Sequence, residues 1–108
     1  MNIVIGADHG GYSLKTSLID HLQSNGHNLL DVGTSSNEAV DYPVFARKVA
    51  EMVASGQAET GIMIDGAGIG SCMVANKVPG ARAAMAYDLS SAKNSREHNN
   101  ANILTLGA

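Results

Sequence analysis

GIMIDGAGIGSCMVANK, residues Gly61 to Lys77, runs from a short apolar segment, Ile62-Met63-Ile64, through Asp65 and three glycines, Gly66, Gly68 and Gly70, into a helix-compatible segment, Ser71 to Lys77. That succession is strand, loop, helix. In an open parallel sheet, ligands sit beyond the carboxyl ends of the strands, where glycines let backbone N–H groups approach closely and a helix start adds partial positive charge. Asp65 stands at that spot. The glycine pattern alone is not diagnostic, being neither a Walker loop nor a full dinucleotide fingerprint after the first strand, and a tight turn explains it equally well.

The flanking sequence repeats the same unit. Upstream, Asn2 to Ala7 (NIVIGA) reads as a fully buried strand, with Asp8-His9-Gly10-Gly11 as the loop at its carboxyl end. Leu14, Leu18 and Leu22 recur every four residues and predict a helix through Gly10 to Ser24, closed by Asn25-Gly26. His27 to Val32 is a second strand and Gly33 to Asn37 a polar loop. Asp41-Tyr42-Pro43 opens a second helix whose apolar face is Phe45, Val49, Met52 and Val53 and which Ser55-Gly56 ends. Downstream, Val78-Pro79-Gly80 stops the third helix, Ala81 to Ala86 is a fourth strand, Asp88 caps a polar helix from Leu89 to Glu97, and Asn102 to Leu106 is a fifth strand.

Strict alternation of strands and helices predicts one α/β domain over residues 1–108, a five-stranded parallel sheet with right-handed crossovers and helices on both faces. The expected strand order is 2-1-3-4-5, with strands one and three adjacent at the switch point. Asp8-His9 then faces Asp65 and its glycine loop across one crevice, whereas His98-Asn99, at a later helix end, has to reach it from farther along. A carboxylate, two imidazoles and a backbone anion cradle suit acid/base chemistry on a carbonyl compound.

Composition narrows the ligand class. A chain of 108 residues with 44% hydrophobic residues has a core and is not disordered. Without Trp, that core has to come from Val, Ile, Leu, Met and Ala. The formal charge is −3, and Lys15, Arg47, Lys48, Lys77, Arg82, Lys93 and Arg96 form no basic cluster, which argues against nucleic acid or an anionic membrane and for a small neutral or anionic metabolite. No apolar stretch approaches the roughly 20 residues of a membrane helix, and the chain enters its first strand without a charged leader, so a cytoplasmic location is expected. The single Cys72 permits no internal disulfide, and without a Cys/His cluster no metal site is expected.

Several motifs, in order and spacing, carry a family resemblance: Asp8-His9-Gly10-Gly11, Asp31-Val32-Gly33-Thr34, Asp41-Tyr42-Pro43, Gly66 through Gly70, Ala75-Asn76-Lys77-Val78-Pro79-Gly80 and Arg96-Glu97-His98-Asn99. Over its whole length the chain resembles the type B ribose-5-phosphate isomerases and the related galactose-6-phosphate isomerase subunits. The resemblance implies a Rossmann-like three-layer fold, a homodimer or dimer of dimers, and interconversion of aldose and ketose phosphates through an enediolate without metal or cofactor. It also implies active sites between subunits, with His98-Asn99 serving the partner's crevice. His98 matches the histidine that opens the sugar ring, and Asp8, His9, Tyr42 and Asn99 match substrate-holding positions. Gly66, Ala67, Gly68, Ile69 and Gly70 match the loop whose N–H groups hold the oxyanion.

The chain departs from the family pattern at the proton-transfer position, where most members carry a cysteine and this one carries Asp65; Ala67 replaces a usual Thr or Ser. A subset of the family takes its base from a glutamate at the position matching Ser71. Family chains also continue past the last strand with further helix and phosphate-gripping arginines, whereas this sequence stops at Leu106-Gly107-Ala108. Asp65 has two readings: the base, since desolvation can raise a carboxylate by several units and triosephosphate isomerase runs enediol chemistry on a glutamate, or a strand-end cap for the Gly68 or Gly70 N–H. Cys72 reads as a small buried hydrophobe, and Asn76 and Arg82 as structural. Two other functions compete with the isomerase: a degenerate or regulatory subunit, one of an unlike pair, that keeps the ligand cleft, and a phosphoacceptor signalling domain. The last fits poorly, since Tyr87 and Gly107 stand where it needs a Ser or Thr and a Lys.

Overall fold

The computed structural model describes residues 1–108. Five strands, β1 (Asn2–Ala7), β2 (Asn28–Asp31), β3 (Thr60–Asp65), β4 (Ala83–Met85) and β5 (Ile103–Gly107), alternate with four helices, α1 (Tyr12–Ser24), α2 (Tyr42–Ala54), α3 (Ile69–Ala75) and α4 (Leu89–Glu97). One 3-10 turn, His9–Gly11, leads into α1. All strand pairs are parallel, and β1 lies against β3 as the sequence predicts, with Ala7 in register with Ile64.

The order of the sheet is β2-β1-β3-β5-β4, so the last two strands exchange the places expected for them. Burial explains the exchange. Ile103 and Thr105 of β5 are 2% and 0% exposed, which requires neighbours on both edges, whereas the three residues of β4 are all half-buried and suit an edge. The exchange also moves a helix. Because the step from β4 back to β5 reverses direction along the sheet, a right-handed crossover places α4 on the face of α1, opposite α2 and α3. Ala92 of α4 and Leu14 of α1 accordingly line one groove over Leu104 and Leu106.

Strand alternation divides the core between the two faces. Val4, Met63 and Ile103 pack with Ala46, Val49, Ala50 and Val53 of α2 and Ala75 of α3. Ile5, Ala7 and Ile64 face Leu14, Leu18 and Ile19 of α1. Asp88 caps α4 with the reciprocal box foreseen in part: its carboxylate accepts from the Ser91 N–H at 2.7 Å and its own N–H donates to the Ser91 hydroxyl at 3.1 Å. Donation to the carboxylate from Ser91, its backbone N–H first and then its side chain, holds the Asp88 carboxyl below its ordinary range. No helix is long and apolar enough to cross a membrane.

Asn76 has the structural role expected of it, in a form the sequence does not reveal. Its carboxamide donates to the Ala83 carbonyl at 2.9 Å and accepts from the Ala83 N–H at 2.8 Å, standing in for a neighbouring strand on the outer edge of β4. Asn76→Ala removes both bonds and is expected to cost about 1–2 kcal/mol, read as a lower urea midpoint at unchanged m-value.

Candidate active site

The crevice forms where the carboxyl ends of β1 and β3 meet. Asp8, immediately after β1, is 8% exposed. Its Oδ1 accepts the Gly10 N–H at 3.0 Å and the Gly11 N–H at 3.2 Å, and its own N–H donates to Ile64 O at 3.1 Å. The carboxylate therefore pins the turn that carries His9. His9 is exposed, and its Nδ1 accepts the Val40 N–H at 3.2 Å. A backbone donor at Nδ1 puts the proton of the neutral imidazole on Nε2, so the ring offers a donor outward.

Two further supports come from β2 and α1. Ala7 donates to Gly33 O at 2.8 Å and accepts from the Thr34 N–H at 2.7 Å, which fixes the residue before Asp8. Asp31 in turn holds that segment, accepting the Gly33 N–H at 2.9 Å and gripping Lys15 Nζ with both oxygens at 2.7 and 2.8 Å. Lys15 is 2% exposed, its ammonium 5.4 Å from the Tyr12 ring centroid. This pair goes unseen in the sequence reading, although Asp31 lies in one of the family motifs. Its only signal is a lysine on the otherwise apolar side of α1.

The third-strand loop is built around Asp65, which is 4% exposed. Oδ1 accepts the Gly68 N–H, while Oδ2 accepts the Ser71 N–H at 3.1 Å and the Ser71 hydroxyl at 2.7 Å. Gly68 takes a φ of +77°, and its carbonyl receives the Thr105 hydroxyl at 2.8 Å from β5. The loop is thus held from beneath by Asp65 and from the side by Thr105. The amides of Gly66, Ala67, Ile69 and Gly70 find no acceptor in the protein. Tyr42, at the start of α2, closes over the loop so tightly that a Cβ on Gly70 would fall 2.5 Å from Tyr42 Cζ. The first loop is close as well, since a Cβ on Gly10 would lie 4.0 Å from the Gly66 nitrogen.

Asp8, His9, Tyr42, Asp65 and Gly66 to Gly70 are therefore brought together at one end of the sheet. His98 and Asn99 are not. Because α4 runs antiparallel to the strands, its start lies at the carboxyl end and its last turn at the amino end. The chain leaving it pairs Ala101 N–H with Ser95 O and places Asn102 O on the Gly61 N–H, beside the first residues of β3. Asn99 donates to Asn94 Oδ1 at 2.9 Å and lies on the wall of a groove of about 550 Å³ along β4 and α4, which contains none of the crevice residues.

Cys72 is half-buried, with its thiol 3.5 Å from the Ala83 carbonyl, a packing position away from Asp65's oxygens. Ser71 and Thr105 escape the sequence reading as site supports. A serine six residues past a strand-end aspartate, across a glycine turn, is the available hint for the first; nothing local marks the second.

Comparison with known proteins agrees with this geometry. Residues 3–108 match the family model described as Ribose/Galactose Isomerase. The chain is 44% identical over 107 residues to a putative sugar phosphate isomerase of Rickettsia typhi, covering 99% of this chain and 74% of that protein. It is 42% identical over 108 residues to ribose-5-phosphate isomerase B of Mycobacterium tuberculosis, 67% of whose length it spans. Among solved structures, ribose-5-phosphate isomerase B of Clostridium thermocellum superposes with a TM-score of 0.98 at 54% identity, covering 99% of this chain and 72% of that one. A mutually braced crevice at the β1/β3 switch point, in a chain this similar along its whole length, makes it a member of the ribose/galactose isomerase family.

Proposed function

We propose that this chain interconverts the aldose and ketose forms of a sugar phosphate, such as ribose 5-phosphate, through an enediolate. The observation that carries the proposal is the placement of one carboxylate, Asp65, directly beneath a loop with open amides. Asp65 takes the proton from the carbon next to the carbonyl; the C–H electron pair becomes the C1=C2 bond and the carbonyl pair moves onto O1. Backbone N–H groups of Gly66, Ala67, Ile69 and Gly70 stabilise that oxyanion, while the Gly68 N–H, the fifth amide of the loop expected to do so, is taken by Asp65 Oδ1. The hydroxyl proton then passes from O2 to O1, C2=O forms, and Asp65 returns its proton to C1. Asp8, His9 and Tyr42 hold the sugar, with His9 donating from Nε2.

A second copy supplies His98, which opens the ring, and Asn99, which helps hold the chain of the sugar. The opposite-end placement of these residues within one protomer supports a shared site: two copies related by a two-fold axis across the strands present the amino end of one sheet to the carboxyl end of the other. The protein then works as a homodimer or a dimer of dimers, with no cofactor in the step.

One observation favours a second reading. Asp65 accepts three bonds from its own loop and is almost fully buried, as a cap would be, so the chain also suits a regulatory or degenerate subunit that keeps the cleft. Incubating the purified protein in D₂O with ribose 5-phosphate and a panel of tetrose and hexose phosphates separates the two. Turnover with deuterium entering at the transferred position is expected; saturable binding without turnover or exchange establishes the degenerate subunit.

A further inference from the structure

We infer that Ser71 is a positioning residue for Asp65, and that the two allow the loop to hold a constant single negative charge throughout proton transfer; this rests on the isomerase reading above. Asp65 and Ser71 are bonded to one another twice over. Ser71 is fully buried and supplies both donors to Asp65 Oδ2, its hydroxyl at 2.7 Å and its N–H at 3.1 Å. Oδ1 takes the Gly68 N–H. A carboxylate gripped at both oxygens has one orientation, and Thr105, bonded to Gly68 O at 2.8 Å, prevents the loop from following a different one.

The chemistry gives this grip a purpose. As the substrate C–H bond breaks, its proton goes to Asp65 and the displaced electron pair ends on O1, so the negative charge leaves the carboxylate in the same step that it appears on the sugar. Both places are served by amides of one short loop: Gly68 and Ser71 on the carboxylate, and Gly66, Ala67, Ile69 and Gly70 without acceptors in the protein. The cradle therefore never holds two anions or none, and its dipoles need no reorganisation between ground and transition state. Of the three donors on Asp65, only the Ser71 hydroxyl can reverse, since an amide N–H donates alone whereas a hydroxyl also accepts. It donates to the carboxylate and accepts from the acid, which keeps the new O–H satisfied without a backbone shift. An apolar side chain at position 71 has no such reversal available.

The test is a double-mutant cycle with ribose 5-phosphate or whichever sugar phosphate the wild type turns over. Ser71→Ala is expected to lower kcat about tenfold to a hundredfold, the range for a lost bond to a charged group, with KM held within about twofold. Ser71→Thr, which keeps the hydroxyl, restores most of kcat. In an Asp65→Asn background Ser71→Ala adds no further loss, because its effect acts through Asp65. If Ser71→Ala does not fold, Ser71→Cys, of similar volume but with a weak donor, is judged by the same criteria. A Ser71 variant that melts earlier at unchanged kcat, or that slows Asp65→Asn by the same factor as the wild type, overturns the inference and leaves the isomerase reading intact. A wild type that turns over no sugar phosphate removes both.

Discussion

Asp65→Asn is expected to lower isomerase turnover by about 10²- to 10⁴-fold, the span attributable to a positioned base, with KM changed by less than about threefold. Asparagine has the size of aspartate and keeps an oxygen for the Gly68 N–H, but it accepts no proton at neutral pH. Its amide also meets the Ser71 N–H donor-to-donor where Oδ2 now accepts, so a small drop in thermal midpoint accompanies the lost rate. The proposed site has a second readout, because His98 lies at the opposite end of the sheet from Asp65 and the proposal assigns it to the partner's crevice. Mixing Asp65→Asn with His98→Ala, each strongly impaired alone, is expected to regain about a quarter of wild-type turnover, since half of randomly paired dimers are mixed and each mixed pair carries one intact site. Turnover of Asp65→Asn at the wild-type rate identifies Asp65 as a cap and sends the search for the base elsewhere. Failure of the mixture alone, with both variants folded and dimeric, places the whole site within one protomer.

Gly11→Ala has the largest expected effect on stability. A Cβ there would lie 2.6 Å from the Ile64 carbonyl oxygen and 2.7 Å from Ile64 Cγ2, against a strand backbone that cannot yield. The cost is about 2–4 kcal/mol, which for a domain of this size lowers the thermal midpoint by on the order of 15 °C. The displacement acts on function too, because the Gly11 N–H donates to Asp8 at 3.2 Å and a shifted turn carries His9 with it. Gly66→Ala is the control: a Cβ at that position meets nothing within 4 Å, so stability stays within about 0.5 kcal/mol of wild type. Equal destabilisation by the two substitutions contradicts the close approach of α1's entry turn to β3.

The alternation of strand and helix is legible in the chain because each element announces itself locally: NIVIGA and GIMID as apolar runs, the four-residue leucine spacing of α1, the Pro43 entry and the Asp88 cap. The β1/β3 junction follows, and with it the meeting of Asp8, His9 and Asp65. Strand order beyond that junction is not a local property. AAM and ILTL both read as strands, and only the burial of Ile103 and Thr105 on both sides decides which is interior. Asp65 shows the same limit at the site. Its place at a strand tip is evident from sequence, but the choice among its possible hydrogen-bond partners depends on how tightly the glycine turn folds back, and that is set by Gly68 and by Thr105 37 residues away. The Lys15–Asp31 pair is likewise hidden, since two charges 16 residues apart on a helix and a strand become neighbours only once α1 lies along β2.

Asn76 has one more consequence, for how copies of this chain grow together. A strand arriving beside β4 finds the first of its three residues already engaged by a side chain, which leaves too short a ladder for lateral polymerisation. A copy docking there through its own β2 exposes a fresh β4 margin, so addition in that arrangement repeats without limit. By engaging the β4 margin, a single carboxamide blocks that head-to-tail route to fibres.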